Sequence, residues 1–168
     1  MALAVAMAKN HVIQHLVIAS EGDSAAALAG YAAAAGLEAH VFLPEDASAA
    51  SYLACVVYGA DVTLTKGNIG DCEKVMREQL EAKAEGKETW LDVSELREPF
   101  RLEGLKTMGY EVVEQMGWEY PVAVVCPIGV VISAIWKAFD EMEQMEWVTG
   151  QRPRIYAAFA GPDDAKAL

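Results

Sequence analysis

Six short runs of β-forming residues, separated by longer stretches of helical pattern, constrain this chain more than any other feature. Residues 15–19 (HLVIA), 39–43 (AHVFL), 61–65 (DVTLT), 89–93 (TWLDV), 122–126 (VAVVC) and 155–159 (IYAAF) each read as a strand. Helical patterns fill the intervals. Residues 24–35 are Ala-rich and closed by Gly36, residues 47–58 are stopped by Gly59, and residues 69–84 are charged and amphipathic. Two more helices are expected over 102–116 and 132–144, and another over the opening residues before the first strand. Strands that alternate with helices, and that are apolar along their whole length, predict an α/β fold. The expected architecture is an open, mainly parallel sheet flanked by helices in three layers. Pro99 and the charges of 95–101 interrupt the rhythm and predict a change of lobe, giving 1–98 and 99–168, either as one domain or as two lobes sharing a sheet.

A formal charge of −12 over 168 residues argues against a nucleic-acid partner and an anionic membrane surface, because both need clustered Lys and Arg. No apolar run is long enough to span a bilayer. The opening MALAVAMAK lacks the basic start of a signal peptide, so it reads as a mature helix. Cys55, Cys72 and Cys126 show no CxxC spacing, which predicts buried or free thiols in a reducing, cytoplasmic setting. His11 and His15 are four apart, but a helix-to-strand transition between them breaks the shared face that a metal would need, and no metal site is expected.

In open parallel sheets, ligands bind beyond the carboxyl ends of the strands. Two strand-to-helix turns qualify. The first is Ser20-Glu21-Gly22-Asp23-Ser24, where backbone N–H groups at a helix start favour an anion and Asp23 or Ser24 would serve as N-cap. The second is Pro127-Ile128-Gly129, for which a tight turn alone is a sufficient account. The first turn also allows a nucleophile elbow, with Ser24 as the nucleophile of a serine hydrolase in the sequence Gly22-Asp23-Ser24-Ala25-Ala26. Of the three histidines only His40 lies downstream, at the start of the next strand and far from the elbow, so a triad does not close. Trp90, Trp118, Trp136 and Trp147 are expected in the core or between lobes, and 141–146 and Asp163-Asp164 on solvated faces. Arg101, Glu103 and Lys106 are expected as salt-bridged helix surface.

The segments LVIASEGDSAAALAGYAAAAGL, AHVFLPED, YGADVTLTKGNIGDC, EPFRLEGLKTMGYEVVEQMGWEYP and IWKAFDEMEQ occur in this order over residues 1 to about 160. Together they resemble the middle of threonine synthase and its relatives among the fold-type II pyridoxal-phosphate enzymes, whose sheets are Rossmann-like. The resemblance implies a cofactor and substrate lobe over 1–98 and part of a larger lobe over 99–168. It implies pyridoxal phosphate as cofactor and a phosphorylated amino acid as substrate, with phosphate eliminated and water added. It places cofactor contacts at Ser20, Gly22, Asp23, Ser24 and Gly129.

The departures are as informative. In the family, the lysine that binds the cofactor precedes the segment matching MALAVAMAK, and Lys9 falls too late to replace it. The family asparagine loop reads S-x-G-N, whereas Asp23 stands at the last position and exchanges a donor for a negatively charged acceptor. The family phosphate cup is rich in glycine, whereas Gly129 is followed by Val130, Val131 and Ile132. The C-terminal part facing the pyridine nitrogen has no counterpart. The resemblance with these departures implies a truncated or degenerate member, weak or absent cofactor binding, and no assigned catalytic residue. Relatives being dimeric, self-association of a non-catalytic domain is a further expectation.

Overall fold

The computed structural model describes residues 1–83, 89–95, 97–127 and 129–158. The ends expected at Ala84 and Phe159, the turn residue Ile128 and the pair Asp163-Asp164 lie outside these residues. The elements run α1 (Ala2–Asn10), β1 (His15–Ala19), α2 (Asp23–Ala35), β2 (Glu38–Pro44), α3 (Ala49–Val57), β3 (Asp61–Thr65) and α4 (Ile69–Lys83). They continue with β4 (Trp90–Asp92), α5 (Pro99–Gln115), β5 (Ala123–Pro127), α6 (Val130–Gln144) and β6 (Arg154–Ala158). The chain divides into two compact units, Met1–Arg101 and Leu102–Leu168. Among the described residues the strands form two separate sheets rather than one shared sheet.

In the first unit four parallel strands lie in the order β3-β2-β1-β4. Successive strand residues point to opposite faces. Leu16 and Ile18 of β1, with Val41 and Leu43 of β2, therefore pack with α1, α2 and α3 around Ala4, Val5, Leu28, Ala32 and Cys55. Val17, Ala19 and Phe42 face the other way and bury Cys72 and Met76 of α4. The result is the expected three-layer α/β arrangement. Ala at 25, 29 and 32 of α2 lets helix and sheet approach closely, and all three are buried. Gly36 ends α2 in the left-handed conformation (φ 73°), as its position after the Ala-rich run predicts. Lys9 Nζ donates to Ala35 O at 2.8 Å, complementing the carbonyl end of α2.

The second unit pairs β5 with β6 in parallel. Phe139, Ala138, Met142 and Ile135 of α6 pack on Val113, Cys126 and Val148. Gly109 on α5 lets α6 come close: a Cβ there would lie 2.6 Å from that of Ala138. Among the described residues, α6 covers one face of this second sheet and the other face is open. Val125 is 72% exposed and Tyr156 50%, because alternate residues of this two-stranded sheet point away from α6. Trp90 packs against the Val17, Phe42 and Met76 cluster as expected of a core residue, whereas the other three tryptophans are less covered. Trp118 and Trp147 meet edge to face at 5.5 Å and Trp136 stacks under Arg152 at 4.7 Å, each with a large exposed surface. Residues 141–146 are not simply solvated either. Glu141 accepts from Lys106 at 2.7 Å, Glu143 binds Arg152 through both oxygens at 2.6 Å, and Glu103 pairs with Lys106 and Lys137. These hydrogen bonds from cations hold the Glu103, Glu141 and Glu143 carboxyls below their ordinary range.

Burial and donation to the Glu143 carboxylate push the Tyr120 phenol up to about 12. Its folded pKa is raised above the unfolded value of about 10. The associated stabilisation is therefore complete below pH ~10 and is lost as pH rises through the folded value. A spectroscopic titration of phenolate, taken as wild type minus Tyr120→Phe, is expected to place this residue about two pH units above a free tyrosine. A difference titration near 10 would contradict it. The thiols of Cys55, Cys72 and Cys126 are all buried and free, and burial raises each of them, which leaves them poor nucleophiles.

Candidate functional site

All four strands of the first sheet open at their carboxyl ends into one cleft of about 660 Å³. Such a volume suits a small-molecule ligand. The order β3-β2-β1-β4 makes β1 the point where the chain's direction across the sheet reverses: β2 and β3 lie to one side and β4 to the other. That reversal is where open α/β sheets leave a crevice. The loop Ser20–Ser24 follows β1, Ser48 and Ser51 follow β2, Ile69 and Glu73 follow β3, and Ser94 and Glu95 follow β4.

The Ser20–Ser24 loop is fixed from within. Ser20 N donates to Phe42 O at 3.1 Å, and Ser20 Oγ accepts from Gly22 N at 3.1 Å. Gly22, not Asp23 or Ser24 as the residue types suggested, is the N-cap of α2, and Asp23 already belongs to the helix. The reason is steric. Gly22 has φ 156°, and a Cβ there would lie 2.5 Å from Ser51 Oγ, so only glycine lets this loop approach the start of α3. No side chain caps the first N–H groups of α2. Ser48 caps α3 by accepting from Ser51 N at 3.0 Å, and the two hydroxyls share a 2.8 Å bond. Ser94 is buried and accepts from Ala19 N at 3.3 Å, joining the end of β4 to the end of β1.

Arg101 is the sole cationic side chain lining the cleft among the described residues. Its guanidinium donates to Ser24 Oγ and to Val93 O, both at 3.1 Å. Glu98 holds it from behind: its carboxylate accepts from Phe100 N at 2.5 Å and Arg101 N at 2.9 Å, starting α5 with Pro99 in the first helical position. The expected start of this helix at 102 thus falls three residues late, and Arg101 is not merely helix surface. Glu21, Asp23, Glu73 and Glu95 give the cleft its negative rim. Arg101, fixed by single bonds to Val93 O and Ser24 Oγ beside a helix start without a side-chain cap, can hold a carboxylate, and the acidic rim can hold an ammonium.

Four of the five residues expected to contact a ligand, Ser20, Gly22, Asp23 and Ser24, come together in this cleft. Gly129 belongs to the second unit, where it is the N-cap of α6 (φ 110°), again without a side-chain bond. Lys9 is remote. Its ammonium binds the last carbonyl of α2, while the cleft lies at the first residue, about 18 Å along the helix axis. The hydrolase reading does not hold. Ser24 Oγ accepts from Arg101, no histidine lines the cleft, and His15 and His40 sit at the opposite, amino end of the sheet. No helix among the described residues is long and apolar enough to cross a membrane.

Comparison with known proteins agrees with this geometry. The family described as pyridoxal-phosphate dependent enzyme matches residues 1–166. The threonine synthase of Methanocaldococcus jannaschii is 36% identical over 146 residues, which is 85% of this chain and 35% of that protein. The threonine synthase of Halalkalibacterium halodurans is 36% identical over 147 residues, 86% of this chain and 40% of that protein. The chain therefore spans well under half the length of these relatives. Among solved structures, maize serine racemase superposes with a TM-score of 0.72 at 24% identity, over 98% of this chain and 47% of its own. A hydrogen sulfide-producing enzyme (Fn1055) superposes with a TM-score of 0.74 at 17% identity, over 99% of this chain and 50% of its own. The strand-end cleft, the S-x-G-D-S loop and a family match over nearly every residue lead to one conclusion: the chain belongs to the pyridoxal-phosphate dependent enzymes, with threonine synthases among its relatives.

Proposed function

We propose that these residues form the amino-acid-holding lobe of a threonine-synthase-like lyase, and that by themselves they bind a phosphorylated amino acid without turning it over. The observation that carries this reading is Arg101, the one cationic side chain of the cleft among the described residues, beside Ser24 at the start of α2. The ligand's carboxylate lies against the guanidinium and the first N–H groups of α2, and its ammonium faces the acidic rim. The hydroxyls of Ser20, Ser48 and Ser51 are within the same cleft to orient the rest of the molecule.

Pyridoxal phosphate does not fit this cleft as a covalently held group. Among the described residues no lysine lines it, so no amine is placed there to capture the aldehyde. The cofactor's chemistry, where the family uses it, is stabilisation of a carbanion, and that requires an amine nucleophile at the cleft.

Isothermal titration with O-phospho-L-serine tests the reading. One saturable site per chain, weakened by added salt, is the expected result. Absence of any saturable heat at millimolar ligand would overturn it.

A further inference from the structure

The amino edge of the four-stranded sheet carries a second constellation, about 16 Å from the cleft by the length of β1. Strand register assembles it. His15 on β1 is in register with Glu38 on β2, and His40, two residues along β2, is in register with Asp61 on β3. All four lie on the α4 side of the sheet. His15 Nδ1 is 3.4 Å and His40 Nε2 3.9 Å from the same oxygen, Glu38 Oε2. His40 Nδ1 is 3.3 Å from Asp61 Oδ2. Both imidazoles are largely sequestered against Trp90, with ring centroids at 4.6 and 4.3 Å, whereas Glu38 and Asp61 reach solvent.

We propose that His15, His40 and Glu38 bind a divalent transition-metal ion, with Asp61 orienting His40. Three properties of the cluster support it. The three ligand atoms lie within 4.8 Å of one another, and the His15–Glu38 separation matches the roughly 3.4 Å between ligands of a tetrahedral ion with bonds of about 2.0–2.1 Å. Buried His40 Nε2 has no hydrogen-bond partner, while its Nδ1 faces a carboxylate. That is the carboxylate–histidine–metal arrangement, in which the carboxylate fixes the tautomer and leaves the other nitrogen's lone pair for the ion. Exposed Glu38 can swing to complete the set and leaves a path for entry. Two imidazoles and a carboxylate suit zinc, with one position left for water. Lys83, whose ammonium lies 3.8 Å from the Trp90 ring centroid, is the neighbouring charge that opposes the ion, against the two carboxylates that favour it.

Titration of the full 168-residue chain with zinc chloride tests the site. The expected result is one ion per chain and a higher melting temperature with zinc, with affinity reduced at least tenfold in both His40→Gln and Glu38→Gln and unchanged in His11→Gln. Glu38→Gln replaces an exposed side chain, so it keeps the test open if His40→Gln folds poorly. Cobalt(II) is expected to give visible ligand-field bands without a thiolate charge-transfer band. No binding below millimolar zinc, equal affinity in wild type and Glu38→Gln, or a thiolate band pointing to cysteine would each overturn the proposal.

Discussion

Arg101→Met is expected to weaken O-phospho-L-serine binding by roughly 10- to 100-fold, which corresponds to the ~1.5–3 kcal/mol of a charge-assisted hydrogen bond. The substitution keeps much of the side chain's volume and apolar stem but removes the one cationic side chain that lines the cleft among the described residues. It also removes the donors to Ser24 Oγ and Val93 O, so the carbonyl of Val93 and the start of α2 lose their tie. A modest fall in melting temperature accompanies the loss for that reason. Arg101→Lys separates charge from geometry. It retains the cation but not the planar fork, and an intermediate affinity is expected. Calorimetry at a temperature where all three proteins are folded reads the difference. Equal affinity for wild type and Arg101→Met would remove Arg101 from the site.

Gly109→Val is expected to destabilise the second unit by about 3 kcal/mol or more. Overpacking of a well-filled contact costs ~1–3 kcal/mol, and here the obstruction includes main chain. A Cβ at 109 would stand 2.6 Å from Ala138 Cβ and 3.3 Å from Ile135 O, so α5 and α6 must separate. Separation opens the packing around Phe139, Val113 and Met142, which are wholly buried. Three of the four tryptophans, Trp118, Trp136 and Trp147, lie in this unit and report its unfolding by fluorescence. The expected result is an early urea transition seen by these residues. An unchanged midpoint would show that the helices have room to adjust.

Local pattern made much of the fold legible. His15–Ala19 and Asp61–Thr65 were readable to the residue, because each is a β-rich run bounded by turn residues. Gly36 was readable because a left-handed C-cap after an Ala-rich helix has few alternatives. What escaped depends on residues far apart in sequence. Arg101 meets Ser24 across 77 positions, and nothing in its own helical segment marks it as a cleft residue. The histidine cluster needs the register of three strands, which local pattern does not fix, so sequence spacing raises only His11 with His15, a pair set aside above, and does not bring His15 and His40 together. Gly22 displaced the better capping residues because Ser51, 29 positions away, leaves no room for a Cβ. The exposed face of β5 and β6 escaped for a simpler reason: VAVVC and IYAAF are as apolar as strands covered on both sides.

Among the described residues, no lysine is placed at the strand-end cleft to capture an aldehyde. Titration of the purified chain with pyridoxal phosphate, borohydride reduction and peptide mapping tests it most directly. Reversible, weak absorbance changes and only scattered, substoichiometric pyridoxyl-lysine are predicted; one full equivalent on a single lysine would contradict the account.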